Sequence, residues 1–259
     1  MKKILLIAVV IILYTTTVFA AGTVAEADSA YARRDYAAAL SAYNKALDNE
    51  GSSSNLYYNI GNTYYRLGNI GQAVLFYERA LKINPANEDA TANLAFVRNH
   101  IQGSPEDDTT FLGKMHQSIK SEMTPDAWAW TAFAIFVLVC ATVALYLFTD
   151  RITLRKIGFF GALILSAIFI YTFAVAYQTA NAIDDNTYAI VTSPVTNLRS
   201  EPTTNVAKTA KTVPLPAGSK VEIVDSLSTP KDPQVQLWYE VKINNNSRAW
   251  MNAADAERI

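Results

Sequence analysis

The sequence contains a single cysteine, Cys140, and two histidines, His100 and His116, in 259 residues. One thiol closes no disulfide within the chain. With two separated imidazoles it also leaves the usual multi-cysteine zinc sites without ligands. Neither sign of charge dominates: Lys and Arg number 22 against 23 Asp and Glu, a formal net charge of −1. Long basic runs are missing, so the charge pattern does not point to nucleic acid. Gly-rich phosphate loops, nucleophile motifs and paired His/Cys sets are missing as well, and with them the common signatures of catalysis. The sequence therefore predicts a protein that is not an enzyme and holds no metal or cofactor. Its function has to be read from architecture.

In place of catalytic motifs there is a period. Ala39 and Ala73, Tyr43 and Tyr77, Ala46 and Ala80, and Leu47 and Leu81 each stand 34 residues apart. That spacing resembles the tetratricopeptide repeat, a helix–turn–helix unit that stacks into a peptide-binding solenoid. The second repeat, from Ser54, carries Tyr57, Ile60-Gly61, Tyr64, Ala73, Tyr77, Ala80 and Pro85 at the positions of the pattern. Gly61 and Ala73 let two antiparallel helices approach, Tyr77 fills the space between repeats, and Pro85 ends the second helix. Leu67-Gly68-Asn69 is a helix-ending turn signal. The first repeat is weaker in its opening helix, where Ala27 and Ala30 stand opposite Gly61 and Tyr64, but Tyr36–Leu47 fits its second helix. Asn87-Glu88-Asp89 starts one more helix, to about Ile101, read as a cap over the last repeat. Residues 21–102 are thus expected to form two repeats plus a capping helix, fewer than the three usual for independent stability, and so to be either marginal alone or supported by a partner or the membrane. Register with the repeat pattern puts Tyr58, Asn59, Asn62, Tyr65 and Arg66 on the concave, protein-binding face, with Asp28, Tyr31, Phe96 and His100 from the flanking helices. Tyr58 and Tyr65 have packing between repeats as an alternative role.

Three apolar blocks set a topology. Lys2 and Lys3 precede the run Ile4–Leu13, and Val18-Phe19-Ala20 follows, as in a secretory signal peptide over 1–20; an uncleaved anchor helix is the alternative. Residues 128–148 and 157–180 carry no charge and are long enough to span a bilayer, with Trp128, Trp130 and Tyr146 placed as interfacial belts. The loop between them, 149–156, holds Arg151, Arg155 and Lys156 against Asp150. Short cationic loops stay in the cytoplasm, so 21–127 and 181–259 are expected to face outward. Within the linker 103–127, Phe111, Leu112, Met115 and Ile119 recur at helical spacing, a short amphipathic helix for the membrane surface or for packing on the repeats.

After residue 181 the texture changes to short alternating strands. Asn197-Leu198-Arg199 with Pro202, Gly218 before the strand Lys220–Val224, Trp238-Tyr239 and Arg248-Ala249-Trp250-Met251 come in the order of bacterial SH3 domains, with Ala249 where those have glycine. The resemblance implies a small all-β SH3-like barrel over 181–259 that binds cell-wall peptides or proteins. It offers Trp238 and Tyr239 as a ligand face, or as barrel core.

The order of these parts resembles BatE-type proteins of the Bacteroides aerotolerance operon. The predicted fold class is accordingly a multi-domain chain: an all-α repeat solenoid, two transmembrane helices and the barrel. The resemblance implies an inner-membrane protein whose outer regions face the periplasm. It would act as a scaffold beside membrane partners of the same operon, with a role in oxygen tolerance. A receptor that holds peptidoglycan through the barrel and recruits an enzyme through the repeats is the alternative.

Overall fold

The computed structural model describes residues 24–101, 110–202, 213–229, 237–244 and 247–259. The signal-peptide segment 1–20 lies outside the described residues. The chain divides into two compact units, one made of the helical repeats together with the chain from Asn186, the other built around the two apolar helices.

The repeats begin with a helix over 24–32 (α1), followed by α2 (Tyr36–Glu50), α3 (Ser54–Arg66), α4 (Ile70–Ile83) and α5 (Glu88–Arg98). The 34-residue period extends to the helix starts. Asp35 and Asn69 accept from Ala38 N and Gln72 N at 3.1 and 3.3 Å, while Ser53 and Asn87 accept from Leu56 N and Ala90 N at 3.2 and 2.9 Å. Each side chain satisfies a backbone donor that the helix leaves open. The turns also correspond: Gly68 has φ +77°, and Arg34, its counterpart one period earlier, is held at +63°. Glycine reaches that region without strain; arginine does not. Between α3 and α4 a Cβ on Gly61 would stand 2.8 Å from the Tyr77 ring. Ala27, Ala30, Ala39, Tyr43, Ala46, Leu56, Ile60 and Phe76 form the first core.

The strands correct the barrel expectation. β1 (Tyr188–Val191), β4 (Lys220–Ser228), β5 (Leu237–Asn244), β6 (Ser247–Asn252) and β7 (Ala256–Arg258) form an open five-stranded antiparallel sheet in the order β6-β5-β4-β1-β7. β2 (Val195–Leu198) and β3 (Val213–Pro216) pair separately as a two-stranded ribbon. A barrel requires the outer strands to meet. Among the described residues β6 and β7 do not pair with each other, and a bridge between Arg199 and Trp250 ties the ribbon to β6. Pro214 and Pro216 leave β3 with two residues that have no N–H to offer a further strand. The SH3-like barrel is therefore not formed. The core of the sheet is Ala189, Val191, Leu198, Leu215, Val221, Val241, Ala249 and Met251.

Sheet and repeats share a second core. Ala189 and Val191 face the sheet interior, and Ile190, between them on β1, points the other way as strand alternation demands. Ile190 is fully buried among Ala73, Val74, Leu75, Tyr77, Leu94 and Val97. The contact is close enough to require glycine. A Cβ on Gly71 would lie 2.7 Å from the Val191 carbonyl oxygen, and Gly218, at φ +86°, holds a left-handed turn against Ile101 and Val74. Glu78 of α4 is buried beside this apolar contact, paired with Arg98 of α5 and with Lys220 of β4 at 2.9 Å. At the rim Arg79 meets Glu257 at 2.8 Å.

The other unit holds α6 (Phe111–Ser121), α7 (Pro125–Phe148) and α8 (Ile152–Ala182). α7 and α8 are long and apolar enough to cross a membrane, and most of their surface is uncovered. They are joined through 149–151, so Arg155 and Lys156 lie in the first turns of α8. Gly158 permits the crossing, since a Cβ there would stand 2.7 Å from Tyr146 N. Thr131, Thr142, Thr172 and Thr179 each donate to a carbonyl one turn back in their own helix. Their hydroxyls therefore ask nothing of the surroundings.

Two stability predictions follow from the shared core and the turns. Burial alone would raise the Glu78 pKa, but Lys220 and Arg98 outweigh it and hold it below the usual 4.5. The folded state then binds this proton less readily than the unfolded chain. The stabilisation is complete above pH 4.5 and is lost as the pH falls through the lower folded value. Glu78→Ala should cost about 2 kcal/mol at neutral pH, short of the ~3–5 of a fully buried pair because both cations are partly solvated. Its gap from the parent in urea melts should narrow in acid. Arg34→Gly should gain ~0.5–1 kcal/mol in the same melts by relieving the left-handed turn.

Candidate protein-binding groove

α1, α3 and α5 present one continuous face. Asp28 and Tyr31 come from α1, Tyr58, Asn59, Asn62, Tyr65 and Arg66 from α3, and Asn93, Phe96 and His100 from the α5 segment. A cleft of about 240 Å³ opens on this face, lined by Asp28, Tyr31, Tyr43, Asn59 and Asn62.

The floor of the cleft is wired to the core by a bond that the repeat uses twice. Tyr43 of α2 donates its hydroxyl to Asp28 Oδ1 at 2.5 Å, and Tyr77 of α4 donates to Asn62 Oδ1 at 2.7 Å. Both partners recur at the 34-residue period, Tyr43 with Tyr77 and Asp28 with Asn62. Both tyrosines are buried, and their oxygens meet Asp28 and Asn62, which line the cleft. Burial pushes both phenols above their ordinary 10.0; Asp28 adds to the effect at Tyr43, while the Asn93 amide opposes it at Tyr77. Both therefore remain protonated donors at neutral pH. Asn62 Oδ1 also accepts from Asn93 Nδ2 at 2.8 Å.

The other expected residues divide between support and display. Tyr58 and Tyr65 are half-buried and pack on the α4–α5 core, Tyr65 edge-on to Phe96 with centroids 6.1 Å apart. They thus join inter-repeat packing to partial exposure. Arg66 is exposed, its Nε 3.4 Å from the Tyr31 hydroxyl. Phe96 is 52% exposed, with His100 against its ring at 4.6 Å. The Asn59 side chain lines the cleft and makes no hydrogen bond among the described residues. Tyr43 and Asn93 were not among the residues read from the sequence as lining this face. The period contained the signal, since Asn93 follows Asn59 by 34 residues.

Residues 54–87, comprising α3, its turn and α4 up to the Asn87 cap, match the tetratricopeptide repeat family. These residues form a tetratricopeptide repeat. Such a repeat is a non-catalytic module that mediates protein–protein contacts. Among the described residues no group of three or more His, Cys, Asp or Glu side chains is arranged to hold a metal. Comparison with curated proteins finds no match for the chain. The family match thus reaches the repeat and stops short of the aerotolerance resemblance.

Trp238 and Tyr239, the other expected ligand residues, sit on β5. Trp238 is 1% exposed, with Arg199 over its ring at 5.4 Å. Tyr239 is half-buried beneath Arg258, 5.1 Å from its ring.

The two asparagines of the cleft should separate support from display. Asn62→Ala leaves the buried Tyr77 hydroxyl without its acceptor and should cost ~1–3 kcal/mol in a chemical melt. Asn59→Ala should leave the melt unchanged.

Proposed function

We propose that this protein is a membrane-anchored scaffold whose repeat groove captures an extended segment of a partner protein. The observation that carries the reading is the α1–α3–α5 face, where the Asn59 amide, unbonded among the described residues, and the exposed Arg66 guanidinium, 3.4 Å from the Tyr31 hydroxyl, stand beside partly exposed aromatic rings. Amides suit the peptide backbone, and rings suit side-chain anchors that supply most of the binding energy.

The anchor in this proposal is the α7–α8 pair, inserted as a hairpin. Its support is length, lack of charge over both apolar runs, an uncovered surface and threonine hydroxyls bonded within their own helices. Arg151, Arg155 and Lys156 at the hairpin tip favour a cytoplasmic tip, which puts the repeats and the sheet on the periplasmic side of an inner membrane. The BatE-type resemblance supplies the proposed setting: a complex with membrane proteins of the same operon, linked to oxygen tolerance. The peptidoglycan-receptor alternative drew its support from a barrel that does not form, and no observation favours it.

The test uses the full chain in native membranes. A photocrosslinking residue at Asn59 or Tyr65 should capture a discrete protein partner, and one at Asp48, on α2 outside the groove face, should not. Tyr65→Ala should weaken recovery of that partner by about 2 kcal/mol if the ring is an anchor. Equal capture from both positions, or unchanged recovery by a stably folded Tyr65→Ala protein, would remove the groove as the binding site.

A further inference from the structure

α6 is a half-partnered helix. Thr110 caps it, accepting from Gly113 N at 3.2 Å. Its C-terminal half is docked: Ile119, together with Met123, packs on Trp128, Val175 and Ala176 where α7 begins and α8 ends. Trp128 Nε1 donates to the Lys120 carbonyl at 3.3 Å, and His116 meets Gln178 at 3.4 Å and the edge of the Tyr171 ring. The N-terminal half displays apolar side chains. Phe111, Leu112 and Met115 are 80%, 68% and 48% exposed. At 3.6 residues per turn these three and Ile119 fall on one arc about 100° wide, with Gln117, Ser118 and Ser121 outside it. The arc that grips Trp128 through Ile119 therefore continues, uncovered, to the start of the helix.

We propose that α6 is an interfacial membrane helix, with Phe111, Leu112 and Met115 inserted into the outer headgroup boundary of the bilayer that α7 and α8 cross. The inference rests on the bilayer reading of those two helices. Continuity selects lipid as the occupant. The uncovered arc of α6 runs on from the Trp128 contact, and Trp130 and Phe133, exposed on other faces of the same end of α7, surround that level with apolar rings. Tryptophan at a helix end marks the level of the headgroups, and α6 is docked at that level. An amphipathic helix of this kind rests with its apolar side ~5–10 Å into the boundary.

The full chain in phosphatidylcholine–phosphatidylglycerol vesicles tests this. In a Cys140→Ser background, one cysteine is introduced as Met115→Cys, Leu112→Cys, Gln117→Cys or Phe136→Cys and labelled with a fluorophore. Quenching is read with lipids carrying nitroxides at shallow or deep positions, and with aqueous iodide. Labels at 115 and 112 should be quenched most by the shallow nitroxide, at a depth of ~5–10 Å, that at 117 by iodide, and that at 136 by the deep nitroxide. Iodide quenching at 115 and 112 equal to that at 117, with 136 still deep, overturns the inference and leaves the anchor standing. So does protection of 115 and 112 from every quencher, which would mean a protein cover. Loss of lipid quenching at 136 overturns the anchor and the inference together.

Discussion

Six consecutive residues of α4, Ala73 to Glu78, are buried, so both sides of this helix are covered. One side packs in the repeat; the other meets β1 through Val74 and Ile190. A helix buried all round belongs in the centre of a domain, not at the edge of a solenoid. A two-repeat array would leave that outer side in water, which is why short arrays are marginal. This chain covers it with its own sheet. Gly71 and Gly218 let the two backbones close, and Glu78 fixes the register with charges drawn from α5 and β4. Replacing any one of these weakens the cover over a face that the repeat alone leaves open.

Much of the helical half was legible because a repeat states its own geometry twice. The period that pairs Ala39 with Ala73 also pairs the caps Asp35 with Asn69 and Ser53 with Asn87, and the turn residues Arg34 with Gly68. The short solenoid was expected to be marginal alone or to lean on a partner or a membrane. Its support lies instead in the chain after Asn186, and Tyr188-Ala189-Ile190-Val191 signalled it as a run with no polar face, the mark of a strand covered on both sides. The barrel was misread for a different reason. Turn signals and Trp-Tyr pairs locate strands, but closure depends on which edges meet, and an open sheet and a barrel share the same alternation along each strand.

The groove was legible as a face and not as a mechanism. Helical register alone groups Asn59 with Asn62 and Tyr65. It does not show that hydroxyls from the second helices pass beneath and fix the polar groups, because Tyr43 and Tyr77 read equally well as core aromatics. They are core aromatics whose oxygens serve the surface. This is the usual bargain of buried tyrosine, an apolar body with one polar end that must find a partner.

That arrangement bears on how binding energy is used. A segment that folds on its partner loses several kcal/mol of the gross interaction to ordering. Here the side chains at the cleft floor are already tied down, Asp28 by Tyr43 and Asn62 by Tyr77 and Asn93, and the backbone beneath them is held by the α4–β1 core. Preorganisation of this kind leaves less freedom to be lost on association. It also separates two roles that a marginal solenoid would merge. Stability resides at Glu78, Ile190 and the close glycines on one side of α4. Recognition is proposed for Asn59, Tyr65 and Arg66 of α3, with Tyr65 resting on the same core. A partner that enters the groove would meet a surface it did not have to fold.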